Sequence, residues 1–507
     1  MGFSTIDYLV LVAYLAGITA FGVMFRKSQR TVRDYFVGAK NTHWIIISLS
    51  IVATETSTIT LIGVPAIAYA NYAKPEQGGN FTYLQVVLGY IVARVIISLI
   101  FIPAYFRGDL LTAYELLKRR FGTKTKNFAA SLFLSMRALG EGIRIFSASL
   151  VLAAVIGASM PNLPYLWLWS IIIVGLLTLV YTFEGGIAAV IWTDLIQLVI
   201  YVGGSLLAAY ELLHLVPGGW PAIASTAGAA GKFQLFSFRW DFTVPFTFWA
   251  GLLGGTFLTM ASHGTDQLLV QRLLTCRNQR DSQKAIILSG FVVLFQFALF
   301  LLIGVMLFSY YQGTGSKPVL ESNDQVFPFF IVRQLPHGIS GLVIAAIFAA
   351  AMSNLSGSLN SLSSSTVIDF YKPLVNPNAT DDYLLRLSRW FTVGWGVILI
   401  LIAIASKSFT KSVLNTALTI ASLPYGAMLG AFLLGVLTKR ANQRGVMTGM
   451  AVALAVMLFV WLKTSLAWTW YVLTGTIICS VIGYLVSLTQ SANAAGEIAT
   501  EGDRPAV

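Results

Sequence analysis

The sequence predicts an all-α polytopic membrane protein with about 13 transmembrane helices. Of its 507 residues, 56% are hydrophobic and only 11% are charged, and the mean hydropathy is +0.76. An ordinary soluble domain is about one quarter charged. Apolar runs long enough to cross the hydrocarbon, which takes about 20 residues of helix, recur along the whole chain. They lie at about 5–25, 44–71, 81–106, 128–155, 165–183, 187–212, 246–270, 286–311, 338–366, 388–406, 414–437, 444–462 and 468–488.

The first run belongs to an extra N-terminal helix within residues 1–30. It has neither a basic leading segment nor a small-residue cleavage site, so we expect an uncleaved span and not a signal peptide. Cytoplasmic loops carry the excess of Lys and Arg, and placing the N-terminus outside puts 21 of the 33 basic residues in cytoplasmic loops. We therefore expect a multi-pass protein of the bacterial inner (cell) membrane with its C-terminus in the cytoplasm, ending in a disordered tail at 489–507.

The spans divide into two sets of five. Residues 43–213 and 246–438 hold five each, followed by two C-terminal helices at 444–488. Because five is odd, the two sets enter the membrane from opposite sides, which makes an inverted repeat. In transporters of this kind the first helix of each repeat is often broken near the midplane, and solute and ions bind at the break.

The first helix of each set contains a candidate break. In the first set, IVATETSTITLIGVPAIAYA (Ile51–Ala70) has six polar residues in seven positions, and in the second set Gly251–Gly255 reads GLLGG. Polar side chains within hydrocarbon are tolerated where they face protein, water or ions. The alternative for Ile51–Ala70 is two interfacial pieces joined by a wet loop.

A second polar helix covers Ala345–Phe370. One of its faces carries Ser353, Ser356, Asn360 and Ser364. Small-residue packing, with serines bonded to their own backbone, explains about half of these positions. It explains Ser353 less well, since that residue lies at the depth of a possible ion site.

Charged residues within spans are costly and mark candidate ion or solute paths. Asp194 is either such a residue or the partner of a Lys or Arg at the membrane edge. Glu141 and Arg144, three positions apart, can pair on one helix face or contact solute. The roles of Arg94 and Arg137 stay open.

Other functions lack their residues. There is no phosphate-binding loop for a nucleotide-driven pump and no potassium filter, and we find no nucleophile, base or metal cluster, so the chain is not expected to be an enzyme. No soluble basic module exists for nucleic acid. Cys276 and Cys479 lie in unrelated places and are not expected to pair. Asp266 and Arg272, near the end of the second candidate broken helix, are expected to be a solvated structural pair.

Four segments together resemble one family. They are DYFVGAK in the early cytoplasmic loop, SIVATETSTIT, YTFEGGIAAVIWTDLIQ and AAIFAAAMSNLSGSLNS. This combination is similar to the sodium:solute symporter family, which includes sodium-coupled sugar, sialic acid, proline and iodide carriers. The resemblance extends from Asp34 to about residue 440 and implies a leucine-transporter-like fold with the inverted five-plus-five repeat and one additional N-terminal helix.

The resemblance also implies a main sodium site. Backbone carbonyls at the first break and groups of the serine-rich helix would form it, which places it at Ala53, Thr56, Ala350, Ser353 and Asn354. Asn354 stands where the family usually has a hydroxyl, and its amide oxygen can still bind a cation. Some relatives hold a second sodium, which here would use Asp194, Ser353 and Ser356. Gly357 lacks the hydroxyl that those relatives supply, so we expect one sodium per solute, with Asp194 in the release path.

The expected activity is import of a small polar organic solute with sodium by alternating access. The solute would be a sugar, a sugar acid or a related compound, and the candidate contacts are Glu55, Ser57, Thr60, Glu141 and Arg144. Sodium is the expected coupling ion, with no cofactor and no obligatory protein partner beside the solute, the ion and the bilayer. Two alternatives stay open, a transporter-like membrane sensor and a proton-coupled carrier of the same fold.

Overall fold

The computed structural model of the chain describes residues 3–24, 35–36, 38, 42–72, 74–107, 110–159, 163–313, 315, 320, 322–407 and 413–489. Helices and the loops between them make up the whole of this part. The helices are α1 Thr5–Val23, α2 Trp44–Glu55, α3 Thr58–Tyr69, α4 Leu84–Phe106, α5 Tyr114–Phe121, α6 Thr123–Ser159, α7 Leu166–Leu215, α8 Gly219–Ala229, α9 Gly255–Gly264, α10 Gln267–Leu274, α11 Gln279–Gly313, α12 Val326–Gln334, α13 Ile339–Ser365, α14 Asp381–Ser406, α15 Val413–Leu437, α16 Gln443–Lys463 and α17 Tyr471–Leu488. Short helical turns lie at Pro75–Gln77, Ala250–Gly254, Asn323–Gln325, Thr366–Tyr371, Lys372–Leu374 and Trp468–Trp470.

Nine helices of the described part are long and apolar enough to cross a bilayer, and the bent pair α2 and α3 makes a tenth. Thr5–Phe21 and Leu166–Leu176 are apolar but shorter. The backbone stays helical through α7, where the sequence predicts separate spans at 165–183 and 187–212. The two glycines between those spans do not interrupt it, because a glycine weakens a helix by only about 1 kcal/mol. The count of 13 spans and the inverted repeat stay predictions, as do the limits of the regions. The tail beyond Thr489 and residues 25–30 lie outside the described part.

The predicted break in the first polar helix is confirmed. The helix axis bends by 63° between α2 and α3, and the two residues at the bend, Thr56 and Ser57, have extended backbone. Every residue of α3 from Thr58 to Ala68 is buried. This burial contradicts the alternative of two interfacial pieces with a wet loop, because interfacial helices keep one face in water.

The predicted break at GLLGG is wrong. Ala250–Gly254 forms a π-helical turn that continues into α9, and the chain instead leaves the helix at Thr265 and Asp266. The glycines serve close packing, because a Cβ added at Gly255 would lie 2.3 Å from the backbone oxygen of Val86 in α4. Glycine thus permits two backbones to touch without bending the helix that contains it.

The first helix supports the serine-rich helix α13. Asp7 is fully buried, and its Oδ1 accepts hydrogen bonds from the backbone N–H groups of Gly338 and Gly341 and from the Ser340 hydroxyl, at 2.7 to 2.9 Å. These are unpaired groups at the start of α13, so Asp7 caps that helix from another part of the chain. Gly341 lets the two helices approach, because a Cβ there would meet the Asp7 backbone at 2.6 Å.

The loop between α8 and α9 fastens the end of α3. The Lys232 ammonium donates to the carbonyl oxygens of Ala68, Tyr69 and Ala70, at 3.2, 3.0 and 2.6 Å, and lies 4.1 Å from the ring centre of Phe308. Cations are favoured at the C-terminal end of a helix. Burial lowers the pKa of the Lys232 ammonium to about 8.

Candidate functional site

A cavity opens beside the bend between α2 and α3. Its volume is about 130 Å³, and since one water needs about 10–15 Å³ on this scale, it has room for a small organic molecule. Hydroxyls, charged groups and aromatic rings share its wall. The polar and aromatic lining residues are Thr54, Glu55, Ser57, Thr60, Tyr83, Tyr90, Arg137, Arg144, Thr259, Ser262, His263, Phe297, Asn354 and Tyr425.

The two segments of the expected sodium site lie against each other. Asn354 in α13 donates a hydrogen bond to the carbonyl oxygen of Thr54 at the end of α2. Thr58 in α3 donates to the Ile347 carbonyl at 3.4 Å. The five expected ligands, Ala53, Thr56, Ala350, Ser353 and Asn354, are all buried. The bent helix and the serine-rich helix therefore meet through buried residues that carry carbonyl, hydroxyl and amide oxygens, and oxygen atoms are the ligands that a hard cation prefers.

Gln296 also belongs to this region. Its Nε2 donates to the Thr56 hydroxyl at 2.7 Å, and its buried side-chain oxygen has no hydrogen-bond partner among the described residues. The sequence analysis missed Gln296, although a single amide inside the apolar run of α11 is a recognisable signal, since a polar group there requires a partner.

Asp194 forms a buried network with α2, α10 and α13. Its carboxylate accepts hydrogen bonds from the Ser50 and Ser353 hydroxyls and from Thr54, and it pairs with Arg272 at 3.0 Å between Oδ2 and Nη2. Neither Asp194 nor Arg272 is exposed at all. The expected solvated pair of Asp266 and Arg272 is therefore wrong, because each has a different buried partner. Of the two alternatives for Asp194, the structure shows a basic partner, Arg272, and both residues are buried.

Gly357 provides the space for the Arg272 guanidinium. A Cβ at position 357 would lie 2.6 Å from Nη2 and 3.3 Å from Nη1 of Arg272. Ser356, the neighbouring candidate ligand, donates its hydroxyl to the Ser353 carbonyl of its own helix at 3.0 Å. The region expected to hold a second sodium thus already contains the positive charge of Arg272. Ser356 matches the alternative of small-residue packing, in which a serine bonds to its own helix backbone.

Glu55 lies at the cavity wall in an ion-pair cluster. Its Oε2 is bound by the guanidinium of Arg94 and lies 3.4 Å from Nε2 of His263. Arg94, fully buried, also donates to Ser289 at 3.1 Å, and its Nη2 lies 3.2 Å from His263 Nε2. Because a guanidinium can only donate, this contact favours a neutral His263 that accepts at Nε2 and donates from Nδ1 to Ser262, 2.8 Å away.

A second charged cluster at the cavity is centred on α6. Arg137 pairs with Glu141 at 3.0 Å and with Asp266, and Arg144 pairs with the same Glu141 oxygen. Tyr425 donates to Asp266 at 2.7 Å. The predicted pairing of Glu141 with Arg144 is confirmed, and Arg137 joins it. The two arginines and two carboxylates balance in charge.

Four of the five candidate solute contacts reach the cavity. Glu55, Ser57, Thr60 and Arg144 line it, whereas Glu141 is fully buried behind the arginines. Arg144 is 28% exposed, against 7% for Arg137. Arg144 is thus the more accessible cation of this cluster.

Several cavity residues were missed by the sequence analysis. His263, Tyr83, Tyr90 and Tyr425 line the cavity, and Tyr83 stacks on Phe297 with ring centres 5.5 Å apart. For His263 a signal existed, since it directly precedes Gly264, Thr265 and Asp266, a helix end followed by a helix-capping residue. The tyrosines carry no such signal, because aromatic residues are common in every span.

Comparisons with known proteins identify relatives of this chain. The family model described as sodium:solute symporter family matches residues 35–453. The sodium/sialic acid symporter NanT of Aliivibrio fischeri is 31% identical over 96% of this chain and 93% of the relative. The sodium/sialic acid symporter SiaT of Proteus mirabilis is 30% identical over 96% and 95%. A solved structure, described as the substrate-bound outward-open state of a Na⁺-coupled sialic acid symporter with a novel Na⁺ site, superposes with a TM-score of 0.87 at 29% identity and covers 96% of this chain and 98% of its own.

Proposed function

The chain belongs to the sodium:solute symporter family, and on that premise we propose that it carries a sugar acid across the membrane together with sodium. Membership makes it a multi-pass membrane symporter and not an enzyme. Two features are proposals: that the solute bears a carboxylate, and that the cotransported sodium binds between the bend of the first polar helix and α13.

Arg144 carries the proposal of an acidic solute. It reaches the cavity from α6, and its carboxylate partner Glu141 is shared with Arg137. A guanidinium with free donors binds a carboxylate through two parallel hydrogen bonds. The hydroxyls of Ser57 and Thr60, which also line the cavity, suit a polyhydroxylated body. The named sialic acid relatives support the same class of solute.

The proposed sodium site consists of the five buried residues Ala53, Thr56, Ala350, Ser353 and Asn354. An ion bound there would join the bend to α13 and favour one arrangement of the two. A ligand that binds one state better than another shifts the equilibrium toward it. We propose one sodium per solute, because the Arg272 guanidinium already neutralises Asp194.

Uptake into proteoliposomes tests the function. Labelled N-acetylneuraminate should accumulate with an inward sodium gradient and fail to accumulate in choline. An excess of unlabelled carboxylated sugar should block uptake, and an equal excess of a neutral hexose should not. Block by the neutral hexose would overturn the acidic class. Accumulation driven by a proton gradient without sodium would favour the proton-coupled alternative, and binding without transport would favour the sensor.

Ser353→Ala tests the sodium site. The variant should raise the sodium concentration for half-maximal uptake by about tenfold, since loss of a hydrogen-bonding or ligating group in a buried site costs about 1–2 kcal/mol. The control is Ser361→Ala on the same helix, whose hydroxyl bonds only to the backbone of Ser358. Equal sodium dependence in both variants would remove Ser353 from the site.

A further inference from the structure

Asn354 connects the solute cavity to the proposed sodium site through a single amide. Its Oδ1 accepts a hydrogen bond from Nη1 of Arg144 at 2.9 Å, and its Nδ2 donates to the backbone carbonyl of Thr54 at the bend. The orientation of the amide is fixed by its partners, because a guanidinium only donates and a carbonyl only accepts. Asn354 is 2% exposed, and both of its hydrogen bonds are made within the protein.

The oxygen that receives Arg144 is also the oxygen expected to bind sodium. With both partners on one oxygen, the ion and the guanidinium would stand roughly 4 Å apart, where two positive charges repel strongly in a protein interior. A serine hydroxyl at this position is one bond shorter than the amide and would not reach Arg144 from the same backbone. The competition therefore depends on asparagine at position 354.

We propose that sodium and Arg144 compete for Oδ1 of Asn354, so that sodium binding releases the Arg144 guanidinium into the cavity to bind the solute carboxylate. This rests on the proposed function and assigns its coupling to one side chain. Without sodium, Arg144 is held by Asn354 and Glu141. With sodium bound, the Arg144 guanidinium turns toward the solute carboxylate. The positive charge of the ion and the negative charge of the solute then cancel.

The charge arrangement around Arg144 suits this exchange. Arg137, Arg144, Glu141 and Asp266 sum to zero without ligands, and one sodium with one carboxylate leaves the sum unchanged. Nη1 makes both contacts of Arg144, so its release from Asn354 also alters the pair with Glu141, and Glu141 keeps Arg137 as a partner. By linkage, a bound solute must tighten sodium by the same factor as sodium tightens solute.

A double-mutant cycle on sodium affinity tests the competition without any solute. Arg144→Gln, Asn354→Ser and the double variant are purified, and sodium binding is measured by intrinsic fluorescence and by the sodium-dependent rise in unfolding temperature. Arg144→Gln should tighten sodium binding about tenfold in the parent chain and much less in the Asn354→Ser background. Equal effects in both backgrounds would overturn the proposal, because Arg144 would then act only through its charge at a distance.

A matched control is Asn360→Ser, the same change on the same helix at a residue that bonds to Gln271. It should leave the effect of Arg144→Gln intact, and loss of the effect there would also overturn the proposal. If the parent chain binds no sodium while folded, the proposed function fails; if it binds sodium and the cycle is additive, only the competition fails.

Should Arg144→Gln not fold, Asn354→Ser alone suffices. In the parent chain, sodium should strengthen N-acetylneuraminate binding by a large factor. In Asn354→Ser this factor should be smaller by about tenfold or more, because Arg144 then lacks the Asn354 contact with and without sodium. An unchanged factor would overturn the proposal.

Discussion

The accumulation of an acidic solute should not depend on the membrane potential. Asp194 is paired with Arg272 at 3.0 Å, and Gly357 leaves no more room than the guanidinium fills, since a Cβ there would lie 2.6 Å from Nη2. A second sodium would have to displace this internal cation. One sodium moving with one monoanion carries no net charge.

The size of the difference follows from charge alone. With one sodium, a potential of about 100 mV leaves the accumulation ratio of a monoanion unchanged. With two, one net charge crosses, which gains about 2.3 kcal/mol per 100 mV and multiplies the ratio about 50-fold. The dependence on sodium differs as well, because the ratio would follow the first or the second power of the sodium gradient.

The assay uses proteoliposomes with a fixed sodium gradient and a potential set by potassium and valinomycin. The plateau of labelled N-acetylneuraminate is measured at zero and at about −100 mV, and equal plateaus are expected. A plateau tens of times higher at the negative potential would refute the reasoning. Gly357→Ser alone should not create a second site, because its side chain meets Arg272. Gly357→Ser with Arg272→Gln frees Asp194, and sodium should then raise the unfolding temperature more steeply than in the parent chain.

Three further predictions concern stability. Glu55→Gln leaves the buried Arg94 without its carboxylate and should destabilise the fold by about 3–5 kcal/mol. The double variant Glu55→Gln with Arg94→Gln should lose less than half of that stability, and both losses are measured from the unfolding temperature. Equal losses in the two variants would contradict the pairing. Gly255→Ala places a Cβ 2.3 Å from a backbone oxygen and should lower stability by about 1–3 kcal/mol, whereas Gly228→Ala, with open space around it, should be neutral or slightly stabilising; no difference between them would contradict the close approach. The folded pKa of Lys232 is about 8 and its ordinary value is about 10.4, so the folded state binds fewer protons than the unfolded state between these pH values. The free energy of unfolding of the parent chain, relative to that of Lys232→Met, should therefore rise from pH 8 to 10. A difference between the two chains that does not change with pH would refute this.

The sequence predicts a break within Ile51–Ala70 because polar residues inside an apolar run have few structural explanations, and the structure places it at Thr56 and Ser57. It misplaces the second break because a glycine in a span can either weaken the helix or permit close packing, and Gly255 serves close packing with Val86. A local pattern cannot distinguish them, since the neighbouring backbone comes from a distant part of the chain.

Partners of buried charges were the harder part to predict. Asp194 and Arg272 are 78 positions apart, and Arg144 and Asn354 are 210 apart. Asp194, Arg144 and Asn354 were recognised as polar residues within apolar spans, whereas Arg272 was expected in a solvated pair with Asp266. The true partners depend on which helices meet. The pair Glu141 and Arg144 was predictable because three positions along one helix fix the geometry.

The capping of α13 by Asp7 has a mechanical consequence. Asp7 belongs to α1, which lies outside the predicted five-plus-five repeat, yet it caps the N-terminal end of α13, the helix that supplies three of the proposed sodium ligands. Any tilt of α13 during the transport cycle must carry α1 with it or break three short hydrogen bonds at once. The two helices should therefore move together, and a chain shortened by α1 would lose this cap while keeping every residue proposed to bind ion or solute.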